Sequence, residues 1–298
     1  MKKRNILALA LAVLAALVAF GGCSQNTGGS PAAGGSPAAS AGSSAAAPAS
    51  SASGASGGSS AAVSDLSGTV MIAAAASLQN AFEQDLIPMF AKQYPGINVS
   101  GTYDSSGKLQ TQIENGLDAQ IFFSAASKQM DTLVSENLID KSSVVNLLGN
   151  KLVLITGANT QTQVTGFDNI TDAKTIEIGD PSSVPAGQYA QSVLTSLGSW
   201  NTVSARASLG TNVTEVLNAV AQGSAEVGVV YLSDAQSMPG QVKVIAEAPA
   251  GSVTPPIVYP IGLRTDLGDK EAAAKAFFDF LQTPAAKAVF TKYGFTVN

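Results

Sequence analysis

The sequence predicts an α/β protein with two lobes, each built on a mostly parallel β-sheet. Short apolar runs typical of strands alternate with segments of helical spacing, an order that indicates α/β lobes with largely parallel strands. The alternation runs once through the first half of the folded region and starts again at KLVLITG, residues 151–157. The region from residue 65 to the end is long enough for two medium lobes.

The first series begins with TVMIAAAA, residues 69–76, whose apolar run predicts a strand. Residues 77–94 follow with large apolar side chains on one helical face, and Pro88 is expected to kink or end that helix. Further strands are expected at 97–103 and 119–125, and further helices at 108–115 and 128–136.

The second series and the return to the first lobe follow the same alternation. Strands are expected at 151–157, 175–180, 225–232, 242–248 and 257–264, and helices at 187–197, 213–222, 270–282 and 284–293. The chain is expected to leave the first lobe near residues 149–151 and to return near residues 254–258. Lobe 1 is therefore predicted as 65–149 plus 256–298, and lobe 2 as 150–255.

The amino terminus has the pattern of a secretory signal peptide over residues 1–22. Basic residues at positions 2–4 precede an apolar stretch that ends at Phe20, as in exported proteins. A transmembrane anchor is the alternative, but the run is shorter than the roughly 20 residues that usually span a bilayer. Cys23, the single cysteine, lies at the expected cleavage site. Its context resembles a bacterial lipobox, which implies lipidation and anchoring to the cell membrane.

Residues 24–64 consist almost entirely of Ser, Ala, Gly and Pro. Such a segment cannot bury enough apolar surface to offset the entropy of ordering. Together with Cys23 it is predicted to form a lipidated, disordered tether over residues 23–64, which holds the folded region away from a membrane.

The charge and composition exclude several classes of function. The chain has 16 Lys and Arg against 21 Asp and Glu, and removing the three basic residues of the signal lowers the net charge from −5 to about −8. A nucleic-acid partner is not expected, because phosphates need a basic surface. The chain contains no histidine, and Cys23 is assigned to a lipid. Nucleophilic catalysis by Ser-His-Asp or Cys-His sites is therefore excluded.

Four strand-to-helix junctions carry small or polar residues where a helix is expected to start. In open α/β sheets ligands bind beyond the carboxyl ends of the strands. Each helix start exposes unpaired N–H groups and about +0.5 of dipole charge, so four starts supply about +2, close to the charge of a dianion. The junctions are AAAASL with Ser77, YDSSGKL with Ser106, GDPSSVPAGQY with Ala186, and GTNVTEV with Val213.

Each junction also has a simpler interpretation, because Ser, Asp and Asn are good helix N-caps in any protein. Tyr231 ends an expected strand, and its phenol is either a further donor into a cleft or part of the core. Asp104 and Asp180 lie near the junctions, and a carboxylate pointing inward from either would work against an anion site.

Six segments of the sequence together match the pattern of one known family: AAAASLQNAF, SSGKLQTQIENG, LLGNKLVL, IGDPSSVPAGQYAQSVLTSLGSW, VGVVYLSDA and KYGF. The most specific of these are VPAGQYA with LGSW, and VYLSDA. The segments resemble those of the periplasmic molybdate-binding proteins of ABC importers, and the similarity covers nearly all of residues 67–298. The resemblance implies a type II periplasmic-binding-protein fold, with two lobes, a hinge of two crossing strands and a ligand enclosed between the lobes.

The resemblance also implies the ligand and its contacts. The positions that match the family's oxyanion ligands are Ser77, Ser106, Ala186, Val213 and Tyr231. The ligand would be molybdate or tungstate, so molybdenum would be held as an oxyanion and no bare metal cation or cofactor is expected. The implied partners are an ABC permease and its ATPase, and the protein is expected to be a monomer.

Three alternatives remain at the level of the sequence. The nearest is a binding protein for another oxyanion, such as sulfate or phosphate, or for a small organic acid. An enzyme that has kept the fold is disfavoured by the absence of His and of a free Cys. A surface adhesion protein is also compatible with a lipid tether.

Overall fold

The computed structural model describes residues 66–298. The predicted signal peptide, the lipidated Cys23 and the tether lie outside the described residues. Within the described range, every helix is too short or too polar to cross a bilayer.

The described residues form eleven strands in two sheets. The first sheet has the order β11-β4-β10-β3-β1-β2, and the second has the order β7-β6-β8-β5-β9. The strands are β1 (Gly68–Ala75), β2 (Ile97–Asp104), β3 (Ile121–Phe123), β4 (Val145–Gly149), β5 (Leu152–Gly157), β6 (Ile176–Gly179), β7 (Ser208–Gly210), β8 (Val227–Tyr231), β9 (Val242–Glu247), β10 (Val258–Leu263) and β11 (Thr296–Val297).

The chain crosses between the sheets twice, from β4 to β5 and from β9 to β10. This confirms the α/β class, but each sheet is mixed where mostly parallel pairing was expected. β1 is parallel to β2 and β3, and β6 is parallel to β7 and β8. Every antiparallel pair includes β4, β5, β9 or β10. These strands run antiparallel because they pass directly between the sheets, without the crossover that parallel neighbours need. The exact lobe bounds stay a prediction.

Ten helices in the described residues surround these sheets. Compared with the sequence prediction, α3 and α5 each begin two residues earlier, and the short elements β4, β7, β11, α6 and α8 were not predicted. The helices are α1 (Gln79–Ala81), α2 (Ile87–Gln93), α3 (Ser106–Glu114), α4 (Ser127–Ser135), α5 (Pro185–Ser196), α6 (Trp200–Ser204), α7 (Val213–Ala221), α8 (Leu232–Ser237), α9 (Glu271–Leu281) and α10 (Pro284–Lys292).

The helix that follows β1 is continuous but changes its winding along its length. A 3₁₀ turn at Ala76–Leu78 leads into α1, then into a π-helical turn at Phe82–Leu86, and then into α2. Pro88 neither ends nor breaks this path. A proline inside a continuous helix loses one backbone hydrogen bond and its ring crowds the carbonyl four residues before it, so the backbone must adjust there. The wide π turn comes directly before it, with the Ile87 N–H bonded to the Phe82 carbonyl.

Phe82 holds this helix against the first sheet and the carboxyl-terminal helices. Its ring centroid lies 6.2 Å from that of Phe123, 6.2 Å from that of Phe277 and 6.0 Å from that of Phe290, all in edge-to-face geometry. Phe82 is completely buried. Because it lies five residues after Ser77, this packing anchors the helix start that follows β1.

Replacing Phe82 with Ala should lower the free energy of unfolding by about 3–5 kcal/mol, since it leaves a cavity among the three rings. Urea unfolding followed by circular dichroism measures the change. Leu209→Ala is the matched control, because Leu209 is 51% exposed and its truncation should change stability by about 0.5 kcal/mol or less. Equal losses for the two variants would contradict the assigned role of Phe82.

Candidate functional site

A small cavity lies between the two sheets, beyond the carboxyl ends of β1 and β2. The structure brings all five predicted ligand residues to its wall, although they come from five separate segments of the chain. Their role as ligands stays a prediction. The cavity is lined by Ala75, Ala76, Ser77, Asp104, Ser105, Ser106, Ala125, Val184, Pro185, Ala186, Val213 and Tyr231.

Two of the helix starts at the cavity have no side-chain cap. The N-cap positions are occupied by Ala75, before the 3₁₀ turn, and by Val184, before α5. Neither side chain can accept a hydrogen bond. Pro185 has no N–H, so Ala186 supplies the first free amide of α5, and Ala186 is completely buried. A buried N–H without a partner is costly, so these two starts favour an acceptor from outside the protein.

The other two helix starts are capped by their own sequence. The Ser105 hydroxyl accepts from the Lys108 N–H at 3.4 Å at the start of α3, and the Asn212 side chain accepts from the Glu215 N–H at 3.0 Å at the start of α7. The simple N-cap interpretation therefore applies to Ser105 and Asn212. It does not apply to Ser77 or Ser106, whose hydroxyls make other contacts.

Besides Ser105, three residues of the cavity wall carry hydroxyl groups that are able to donate. Ser106 Oγ accepts from the Ala125 N–H at 2.9 Å, and Ser77 Oγ lies 3.0 Å from Tyr259 Oη. Tyr231 is buried, and its Oη has no hydrogen-bond partner among the described residues. Burial raises the pKa of Tyr231 well above its ordinary value, and the neighbouring Tyr259, Tyr189 and Asp234 raise it further. Its phenol is therefore a donor at neutral pH.

One carboxylate oxygen of each nearby acidic residue accepts hydrogen bonds from the protein. Asp104 lines the cavity, but its Oδ1 accepts from the Ser105 N–H at 2.7 Å and from Asn212 Nδ2 at 3.4 Å. Lys108 Nζ is 3.5 Å from the same oxygen. Asp180 is not part of the wall, and its Oδ1 accepts from the Ser182 N–H at 2.9 Å. Among the described residues that line the cavity there is no lysine or arginine.

The start of α3, on the side of the first sheet, and the start of α5, on the side of the second, lie close enough to enclose the cavity. The Gly107 N–H, in α3, donates to the Ser183 carbonyl, just before α5, at 2.9 Å. A Cβ on Gly107 would lie 2.5 Å from that carbonyl oxygen, so any larger residue would separate α3 from α5. With the Asp104–Asn212 contact, this bond holds the two sides of the cavity together.

A cavity of neutral donors between two α/β lobes is typical of proteins that capture a small solute. Residues 70–296 match the family model described as bacterial extracellular solute-binding protein. The chain belongs to this family.

Named relatives of this solute-binding protein share most of its length. It is 39% identical over 235 residues to the putative ABC transporter substrate-binding lipoprotein YvgL of Bacillus subtilis, with 79% of this chain and 89% of the relative covered. It is 37% identical over 237 residues to the molybdate-binding protein ModA of Escherichia coli, with 78% and 90% covered. The solved periplasmic molybdate-binding protein of Azotobacter vinelandii has a TM-score of 0.66 at 26% identity, with 77% of this chain and 99% of that chain covered.

Residues that the sequence prediction missed support the wall of this candidate site. Tyr259 and Asn150 lie behind Ser77, and Asn150 Nδ2 contacts Tyr259 Oη at 3.2 Å. Ala125 follows β3 and supplies the donor to Ser106. Asn150 and Tyr259 lie on the strands and connections that cross between the sheets, where no strand-to-helix junction marks them, whereas Ala125 lies at the junction between β3 and α4. LLGNKLVL is one of the segments that carry the family resemblance, but the sequence predicted no function for its Asn150.

Asp234 lies directly behind Tyr231 and should make stability depend on pH. Burial raises the pKa of Asp234 to about 7, although its carboxylate accepts from the Tyr231 N–H at 3.0 Å. A carboxyl whose pKa is raised on folding adds stability that is fully present below its unfolded pKa, near 4, and is lost as the pH rises towards 7. Asp234→Asn keeps the acceptor for Tyr231 and removes the titration.

The expected result is that stability falls less between pH 5 and pH 8 in Asp234→Asn than in the parent protein. Urea unfolding at both pH values measures this difference. Asp266→Asn is the control, because Asp266 is exposed, and its pH dependence should equal that of the parent. An unchanged pH dependence in Asp234→Asn would show that Asp234 does not titrate in this range.

Proposed function

We propose that this protein captures molybdate, and also tungstate, outside the cytoplasm and delivers it to an ABC importer. The observation that carries the proposal is the convergence of five separate segments on one cavity, with two uncapped helix starts and an unpaired buried phenol. The names of the Escherichia coli and Azotobacter vinelandii relatives support molybdate as the ligand.

In this proposal Ser77, Ser106 and Tyr231 donate from their hydroxyl groups, and Ala186 and Val213 donate from their backbone N–H groups. Removing a dianion from water is costly. A hydrogen bond to a charged group returns about 1.5–3 kcal/mol, and several such bonds from a rigid wall offset the cost. Because the dipoles are neutral, the net negative charge of the protein does not prevent binding.

Selectivity in this proposal rests on a wall whose proposed donors outnumber its one carboxylate. Asp104 is the one carboxylate there, and the Ser105 N–H, Asn212 and Lys108 surround its Oδ1. A protonated phosphate would bury its own O–H without a partner, which is unfavourable. Sulfate has shorter bonds than molybdate, whereas tungstate is nearly the same size. The relatives' names do not favour sulfate or phosphate as the ligand.

The remaining parts of the proposal concern location and partners. A lipid on Cys23 would anchor the protein to the outer face of the cell membrane, as supported by the lipoprotein name of the Bacillus subtilis relative. The proposed partners are an ABC permease and its ATPase, and the protein acts as a monomer. The site serves binding without catalysis, in keeping with a solute-binding family.

The first test is a thermal-shift panel, followed by calorimetry, with molybdate, tungstate, sulfate and phosphate as sodium salts. Molybdate and tungstate should raise the melting temperature at micromolar concentration, because a ligand that binds the folded state alone stabilises it. Sulfate and phosphate should have little effect at the same concentration. A larger shift with sulfate or phosphate than with molybdate would contradict the proposed ligand.

Ser106→Ala should weaken molybdate binding by about 1.5–3 kcal/mol, the value of one hydrogen bond to a charged group. Calorimetry measures the affinity, and a separate melt of the ligand-free protein measures the stability lost when Ala125 loses its acceptor. Ser135→Ala is the control, since its hydroxyl is exposed and contacts only the Thr132 carbonyl of α4. Unchanged affinity in Ser106→Ala would remove Ser106 from the site.

A further inference from the structure

Two serine hydroxyls at the cavity each have a hydrogen-bond partner within the protein, and that partner determines where the hydroxyl proton points. For Ser106 the partner is the Ala125 backbone N–H, at 2.9 Å. A backbone amide can only donate, so Ser106 Oγ accepts that bond and its own proton is free to point into the cavity. Ser106 is completely buried, which leaves its hydroxyl little freedom to turn towards water.

For Ser77 the partner is the phenol of Tyr259. The side chain of Asn150 sets the direction of the hydrogen bond that this phenol makes. Asn150 Oδ1 accepts from the Lys151 N–H at 2.9 Å, and this contact fixes which way the side-chain amide faces. Asn150 Nδ2 then donates to Ser233 Oγ at 2.8 Å and to Tyr259 Oη at 3.2 Å. An amide nitrogen has no acceptor capacity, so Tyr259 Oη is the acceptor in this contact.

Ser77 Oγ, at 3.0 Å, is the one acceptor within hydrogen-bonding geometry of Tyr259 Oη among the described residues, because the neighbouring Tyr231 Oη makes no such contact. Tyr259 is completely buried, so leaving that proton unpaired would be unfavourable. Ser77 Oγ therefore accepts from Tyr259 and turns its own proton to the cavity. Asn150 thus donates to Tyr259, Tyr259 donates to Ser77, and Ser77 donates to the ligand in the cavity.

We propose that Asn150 and Tyr259 are positioning residues that make Ser77 a donor and so exclude oxyanions that carry a proton. The inference rests on the proposed function and adds the residues that determine its specificity. Neither residue lines the cavity. Both lie where the chain crosses between the sheets, Asn150 between β4 and β5 and Tyr259 in β10, so the same segments connect the lobes and set the direction of the hydroxyl.

The test is a double-mutant cycle between Tyr259→Phe and Ser77→Ala, with molybdate and phosphate titrated by calorimetry at pH 7. Tyr259→Phe should weaken molybdate binding by about threefold or more, because the Ser77 hydroxyl regains its other staggered positions. The ratio of molybdate to phosphate affinity should fall, since a freed hydroxyl can accept from protonated phosphate. In the Ser77→Ala background, Tyr259→Phe should cause no further loss.

Tyr293→Phe is the matched control, because it removes a phenol that contacts Asp85 and Gln84, away from the cavity. Its molybdate affinity and its molybdate-to-phosphate ratio should equal those of the parent protein. Asn150→Ala is the second variant, and it decides the question if Tyr259→Phe does not fold. It should lower the molybdate-to-phosphate ratio while Tyr259 remains in place.

The outcomes separate the inference from the proposed function. A parent protein that does not bind molybdate overturns the proposed function and the inference with it. The inference alone is overturned if the parent binds molybdate but Tyr259→Phe lowers the molybdate affinity equally in the parent and in the Ser77→Ala background. An unchanged molybdate-to-phosphate ratio in both Tyr259→Phe and Asn150→Ala also overturns it.

Discussion

The structure depends on two helix starts at the cavity that have no side-chain cap among the described residues. Ala75 and Val184 hold N-cap positions where a polar side chain would normally accept, and both lie on the cavity wall. The first free amide of α5 belongs to Ala186, which is completely buried. A buried N–H without an acceptor is unfavourable. The sequence lacks a local cap at the two positions where a bound dianion would supply the acceptor.

The arrangement of the sheets brings these helix starts together. The junctions after β1 and β2 belong to the first sheet, and the starts of α5 and α7 belong to the second. Helix starts carry partial positive charge and repel one another when nothing lies between them. The Gly107–Ser183 and Asp104–Asn212 hydrogen bonds hold the two sides together, and an anion in the cavity would convert the repulsion into attraction. An anion in the cavity would therefore act on the same helix starts that these hydrogen bonds hold together.

The prediction from sequence was most successful where a local pattern carries the information. The alternation of strands and helices indicated the α/β class, and the small residues at the junctions indicated Ser77, Ser106, Ala186 and Val213, all of which lie on one cavity. It was least successful for short elements and for strand direction. β4 and α8 are too short for a periodic signal, and the antiparallel pairs arise from the direct crossings, which a single strand's sequence does not reveal. Pro88 was expected to interrupt a helix that continues, because the π turn before it depends on packing.

The sequence by itself determined which groups the junctions offer: backbone amides at helix starts, small side chains, serine hydroxyls and a tyrosine, with Lys108 as the basic residue of YDSSGKL. These properties belong to neighbouring residues, so they can be read along the chain. Tertiary structure alone decided that the junctions converge and which way each hydroxyl points. Ser106 receives its donor from Ala125, 19 residues away, and Ser77 meets Tyr259, 182 residues away. A hydrogen bond's direction depends on the partner that folding places beside it, and no local pattern records that partner.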